Sequence, residues 1–447
     1  MTRQRAVFYK IDILLLIFFF IGCQQFPIVR IGGPIRVYEL LGLLLLVRYG
    51  IQKPKDMVTW GMFIMFVLSP ILSYLHSWFV DIPISYYRRY PEAVDSFKFG
   101  GRTYSCFQML FSIVSYCVAC NIVYSKNLWV RFDKWIRTLI KIGVVISIIG
   151  LIDAFVFNPI AMLPSFVQNV GEYKGRNNGL FLEPSMYVLY QTWMVLFSYV
   201  YRKKFKGNHG KIFLWINAIS LLATLSSSLA AFAVVLLSMP FVFKASIKTR
   251  LSIIFGLAAF VLMIIVVAEQ LGLSDTLQYV LYYKIENFFT PADHTMDSGA
   301  FRNFTSRVGL EIFKDHPLLG VGVGNSPFFM HLYEGKMGIV TWGEGLSMST
   351  MPQSFYACLL AEQGILGGLG FSLLLIGTIH KVWKYRNCGN LGKIFYLGVL
   401  VNFGVLFTVP IIYSMYLWVF MALALSYYQF ISKIKYYANC NRLPNVG

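Results

Sequence analysis

Five ionisable side chains are placed where they could do chemistry, and all fall in polar intervals between apolar runs. The first interval reads Glu172-Tyr-Lys174-Gly-Arg176-Asn177-Asn-Gly-Leu-Phe-Leu-Glu183-Pro-Ser185 and leads straight into an apolar stretch. Pro184 suits the first turn of a helix, where its missing N–H costs nothing, so Glu183 stands at the positive end of that helix. It is an ordinary helix-start acid, or a proton acceptor seven residues after an arginine. The second interval holds Arg302, Arg307 and His316. An arginine fork grips phosphate oxygens with two parallel bonds and keeps its charge near a low-dielectric surface. Arg176, Arg302 and Arg307 therefore suit a lipid-linked pyrophosphate at the membrane surface, with snorkelling to lipid phosphates as the plainer reading. His316, before Pro317, is a second proton acceptor or a simple loop histidine.

Phe301, Phe304, Val308 and Ile312 recur at helical spacing, which predicts an amphipathic helix carrying Arg302 and Arg307. The run Gly320-Val-Gly-Val-Gly-Asn325 follows, a turn whose backbone can approach a ligand closely. Asn325 there, and Gln353 before the next apolar run, are candidate binding residues, as are Lys174 and Asn177 beside Arg176. A further polar segment sets Tyr86, Tyr87 and Tyr90 around Arg88 and Arg89. That pattern fits an interfacial aromatic belt or a surface that stacks on sugars.

Composition dictates what must position these groups. The chain is 57% hydrophobic and only 13% charged over 447 residues, which excludes an ordinary soluble domain. Runs apolar enough for a hydrocarbon core of roughly 30 Å are expected at 11–23, 38–50, 58–77, 105–124, 138–157, 184–201, 212–226, 228–243, 251–268, 355–379, 393–411 and 413–431. The expected fold is an all-α polytopic membrane protein with about 12 transmembrane helices. It forms a single integral membrane domain over 1–447, with a large loop over 269–354 and smaller ones over 78–104 and 158–183. Most of the 39 basic residues fall in the alternate loops, such as 126–141 and 202–211. The positive-inside rule makes those loops, and both termini, cytoplasmic. The net charge of +19 is then a record of topology, not of nucleic-acid binding. The first run is read as a retained helix, because Phe20 is bulky where a lipoprotein signal before Cys23 wants a smaller residue.

Other chemistries find little support. The seven cysteines offer no metal spacing and no outward disulfide pair. Glu286, Asp293 and Asp297 are too dispersed for a metal cluster, and no cofactor is expected. A glycine string binds nucleotide only between the strand and helix of a βαβ unit, which nothing here supplies. Glu362, inside an expected span, is either functional or a packing partner. A transporter fits the span count too, but no twofold repeat of Gly- or Pro-broken spans is visible.

In combination, three short motifs resemble the bacterial O-antigen ligase and polymerase superfamily. Pro317-Leu-Leu-Gly-Val-Gly-Val-Gly-Asn325 is similar to its PLxGxGxGN, preceded by an arginine, here Arg307. Leu359-Leu-Ala-Glu362-Gln-Gly-Ile-Leu-Gly367 is similar to LLAExGxxG, and Arg176 to Ser185 to RxxGLFxEPS. Ligases in this family carry a histidine at the start of the LLAE span, whereas Pro352-Gln353-Ser354 stands here, and the Glu-Pro-Ser form looks more like polymerases. The family's Ser-Arg pair between two helices is replaced by Ser226-Ser227-Ser228. The resemblance implies a GT-C-like, metal-independent glycosyltransferase of the bacterial inner membrane. It would polymerise undecaprenyl-pyrophosphate-linked oligosaccharide repeats, of O-antigen or a related surface polysaccharide, on the periplasmic face. Its partners would be lipid-linked glycan donor and acceptor, membrane lipids and a chain-length regulator, with no nucleic acid. Arg176, Arg302 and Arg307 would steady the departing pyrophosphate, and Glu183, with His316 second, would take the acceptor's proton. A ligase transferring polysaccharide to lipid A core and a lipid-linked glycan flippase are the alternatives.

Overall fold

The computed structural model describes residues 13–25, 28–30, 34–83, 102–125, 128, 132–157, 162, 164, 176–181, 183–224, 226, 246–248, 251–252, 255–256, 259, 262, 266, 298–336, 351–407, 409 and 415–441. A two-stranded antiparallel hairpin, β1 (Ile28–Arg30) and β2 (Pro34–Arg36), pairs Ile28 with Arg36. The regular structure is otherwise helical: α1 (Val37–Tyr49), α2 (Met57–His76), α3 (Arg102–Val123), α4 (Phe132–Phe155), α5 (Pro184–Tyr201), α6 (His209–Leu222), α7 (Ser298–Asp315), α8 (Ser326–Lys336), α9 (Phe355–Tyr385), α10 (Gly389–Val405) and α11 (Met415–Asn441). Five of these are long and apolar enough to cross a membrane: α2, α3, α4, α9 and α11. Helices α1, α5, α6 and α10 occupy other expected spans with 13 to 18 residues each. The expected span at 228–243 and most of that at 251–268 lie outside the described residues.

Lipid tails are as apolar as leucine, so such helices associate through close packing and polar contacts rather than through expulsion of water. Both are present. Gly61 of α2 lies so near α9 that an added Cβ would sit 2.4 Å from the Leu374 backbone nitrogen. Trp193 of α5 stacks on Phe420 of α11 with ring centroids 5.5 Å apart. Between α4, α5 and α6, Ser147 and Gln191 both donate to Asn217 Oδ1, each at 2.9 Å.

The helix ends sort the polar chemistry. At one end Lys381 Nζ donates to Asp56 Oδ2 at 2.6 Å, and Tyr201 Oη donates to Asp133 Oδ1 at 3.1 Å. The opposite end gathers the C-terminus of α2 and the N-termini of α5, α9 and α11. Glu183, Gln353 and their neighbours sit there.

Candidate functional site

The glycine run and α9 build one another. Helix α9 is broken at Gly364, whose φ of 62° and ψ of −157° no other residue adopts without strain. The break frees backbone groups that a membrane interior cannot leave unpaired. The run supplies their partners: Val321 and Gly322 donate to the carbonyls of Ala361 and Glu362 at 2.9 and 3.2 Å, and Ile365 donates to Pro317 at 2.8 Å. A Cβ on Gly320 would meet the Glu362 carbonyl carbon at 2.3 Å. At Gly320 the close approach is thus to the backbone of α9. Glu362, only 2% exposed, closes the arrangement. Its carboxylate accepts from the Gly324 N–H at 2.9 Å and from Ser326 Oγ at 2.6 Å, at the positive end of α8. Of its two readings, packing is the one the geometry supplies. Asn325 is fully buried and donates to the Val321 carbonyl at 3.1 Å.

This docked loop anchors the arginine helix. Phe304, Val308 and Ile312 of α7 are buried in a small second core with Val321, Phe328 and Phe329. Val80 and Ile82, just after α2, join them. The opposite face of α7 leaves Arg307 exposed, with no partner among the described residues, while Arg302 is half-buried. Gly309 lies against Pro352, and the Gln353 N–H donates to Thr305 Oγ1 at 3.3 Å. The start of α9 therefore rests directly on the turn between the two arginines.

His316 ends α7 and meets Phe329 edge-on, ring centroids 5.8 Å apart. Burial, helped by His76 and Lys336 and opposed by Asp315, holds its pKa below the usual 6.5, so it is neutral at pH 7. The unfolded chain takes up this proton more readily than the folded one, so stability falls as pH drops below about 6.5. His316→Gln is expected to flatten that fall in melting temperature. An unchanged slope would clear His316 as its cause.

The Arg176 loop is strapped to α6. Arg176 Nε donates to the Thr224 carbonyl at 3.2 Å, and Asn177 Nδ2 donates to Ser220 Oγ at 2.7 Å. Asn177 is fully buried and positions the loop. Glu183 follows at the N-cap of α5, where Pro184 begins the helix. Ser185 Oγ donates to Glu183 Oε2 at 3.0 Å. Lys174, Arg88 and Arg89 lie outside the described residues.

The first turn of α11 links the two groups. Trp418 packs on Phe355 at the start of α9, and Tyr416 packs edge-on against Phe181, with ring centroids 5.9 and 5.6 Å apart. Tyr416 lies within electrostatic reach of Glu183 and also of Arg36 and Tyr38, residues the sequence reading passed over. A signal was available: Arg30 and Arg36 fall in the short stretch between the first two expected spans, on the same side as the other candidates.

Residues 212–372 match the family model described as O-antigen ligase. The match covers about a third of the chain and makes that part similar to the O-antigen ligase and polymerase superfamily. It runs from α6 through the glycine run into α9, and so takes in Arg302, Arg307, His316, Asn325, Gln353 and Glu362, but not Arg176 or Glu183. No curated protein matches the chain. Proteins of that family are glycosyltransferase-like enzymes, and the five apolar helices of this chain fit a multi-pass membrane protein.

Proposed function

We propose that the protein is a polymerase that joins oligosaccharide repeat units carried on a polyprenyl pyrophosphate, at the periplasmic face. The observation that carries this is Gln353. It occupies the position where ligases of the family carry histidine, and its backbone is held against Thr305 between Arg302 and Arg307. An amide there can hold a sugar or phosphate but cannot act as a base.

In this reading an acceptor hydroxyl attacks C1 of the donor glycan and its proton passes to Glu183. The bond from C1 to the pyrophosphate oxygen breaks, and the lipid pyrophosphate departs with the electron pair. Arg307, Arg302 and Arg176 stabilise the charge that grows on it. The donor is already activated, so neither nucleotide nor metal enters. Glu183→Gln should lower turnover far more than it weakens donor binding, because the amide keeps the shape and loses the basicity. An unchanged rate would retire Glu183 as the base.

The test is polymerisation by the purified protein given only lipid-pyrophosphate-linked repeat units, read as a ladder on a gel. A ladder supports the polymerase. No ladder, with transfer once lipid A core is added, would make the protein a ligase.

A further inference from the structure

Four buried polar atoms beside the Glu183 loop have no partner among the described residues: Arg36 Nε, Tyr38 Oη, Tyr416 Oη and Gln24 Nε2. Tyr38 and Tyr416 are fully buried, and Gln24 is 2% exposed. They come from three distant parts of the chain. Arg36 closes β2 and Tyr38 opens α1; Tyr416 is in the first turn of α11. Gln24 is held at the Glu183 loop by its own N–H, which donates to the Leu180 carbonyl at 2.9 Å. Arg36 is within electrostatic reach of Tyr38 and Tyr416, and Tyr416 of Glu183. A buried polar group without a partner costs free energy, so several gathered in one place mark where something else binds.

The chemistry of that ligand follows from charge and donor count. All four atoms donate hydrogen bonds. The charge of Arg36 is already matched by Glu39, whose two carboxylate oxygens accept from the Arg36 N–H at 2.8 Å and from Nη1 at 3.0 Å. With the Glu183 carboxylate alongside, the described residues here leave no surplus positive charge to hold a phosphate. A neutral ligand rich in hydroxyls fits better, since its oxygens accept from the donors and one of its hydroxyls donates to Glu183. A further buried donor without a partner among the described residues, Tyr190 Oη, belongs to a ring whose centroid lies 5.4 Å from that of Phe181 in the same loop. We propose that Arg36, Tyr38, Tyr416 and Gln24 form the subsite for the acceptor saccharide, holding the sugar whose hydroxyl is activated by Glu183. The word acceptor rests on the polymerase reading; the saccharide chemistry does not.

The test uses the full chain in nanodiscs and two probes: oligosaccharide freed by mild acid from the host's lipid-linked repeat units, and inorganic pyrophosphate. Tyr38→Phe and Tyr416→Phe each delete one donor and keep the ring. Because neither hydroxyl bonds to a described residue, melting temperature should hold or rise, which a purely structural role would not allow. Each variant is expected to weaken oligosaccharide binding about fivefold, and the pair more, with pyrophosphate affinity unchanged. Should either variant melt early, Gln24→Met deletes a donor from a third element. Unchanged oligosaccharide affinity, loss of pyrophosphate binding instead, or wild-type protein that binds no oligosaccharide would overturn the subsite. Wild-type protein that binds the oligosaccharide but makes no polymer would remove the polymerase reading and leave the saccharide niche standing.

Discussion

Gly364→Ala is expected to unseat the glycine run from α9 and leave the protein inactive and poorly retained in the membrane. Two costs act together. The backbone at Gly364, with φ 62° and ψ −157°, lies where an L side chain is strained by about 1–3 kcal/mol. The new Cβ would also stand 2.4 Å from both the carbonyl carbon and oxygen of Leu318. Those are backbone atoms and cannot swing aside, so the run must move. Moving it releases the hydrogen bonds from Val321, Gly322 and Ile365, each contributing about 1 kcal/mol. It also takes from the buried Glu362 carboxylate the Gly324 N–H and Ser326 Oγ donors, and such losses cost about 1–3 kcal/mol or more. Against a typical total stability of about 5–15 kcal/mol, that is a loss few folds survive. Gly368→Ala is the control, since its Cβ would meet only the flexible end of Leu360 at 3.0 Å. Normal abundance and melting of Gly364→Ala would mean the break in α9 is not what holds the loop.

The contrast between these two glycines shows how far sequence reaches. The spans at 58–77, 105–124 and 355–379 were legible because a long apolar run has few alternatives to a helix. The arginine helix was legible too, since Phe304, Val308 and Ile312 repeat at its period and are buried. The glycine run was visible as a special turn, but not the element that receives it. Gly364 follows Glu362 and Gln363 in an otherwise apolar run, and neither neighbour marks it, rather than Gly367 or Gly368, as the place where the helix breaks. Asn177 and Asn325 read as candidate binding groups, and the fold adds what a loop sequence does not show, that each is buried with its side-chain amide donating to the chain. A polar residue in a loop carries no mark of whether its partner is substrate or backbone. The niche at Arg36, Tyr38 and Tyr416 was missed for the opposite reason. Its members are scattered over three segments, and only the fold brings them to Glu183.

Arg307→Ala is expected to abolish polymer formation while leaving the protein's abundance and melting temperature nearly unchanged. The separation follows from where the side chain stands. Arg307 is exposed on α7 with no partner among the described residues, so its loss removes no internal contact, and stability should move by no more than about 0.5 kcal/mol. Removing a donor from a site where charge develops costs about 2.7–4 kcal/mol, or roughly a hundredfold to a thousandfold in rate. Arg307→Lys keeps the charge but loses the two-pronged fork that matches a phosphate's oxygens, and should recover little. Arg176→Ala should behave differently. Arg176 Nε already donates to the Thr224 carbonyl, so its removal loosens the strap on α6 as well as any hold on substrate. Lower melting temperature should then accompany lost activity at Arg176 but not at Arg307. Full activity in Arg307→Ala would take that arginine out of the reaction and leave α7 as a scaffold for Gln353. Equal losses of stability at both arginines would mean that α7 is held by its charges, and not by its apolar face.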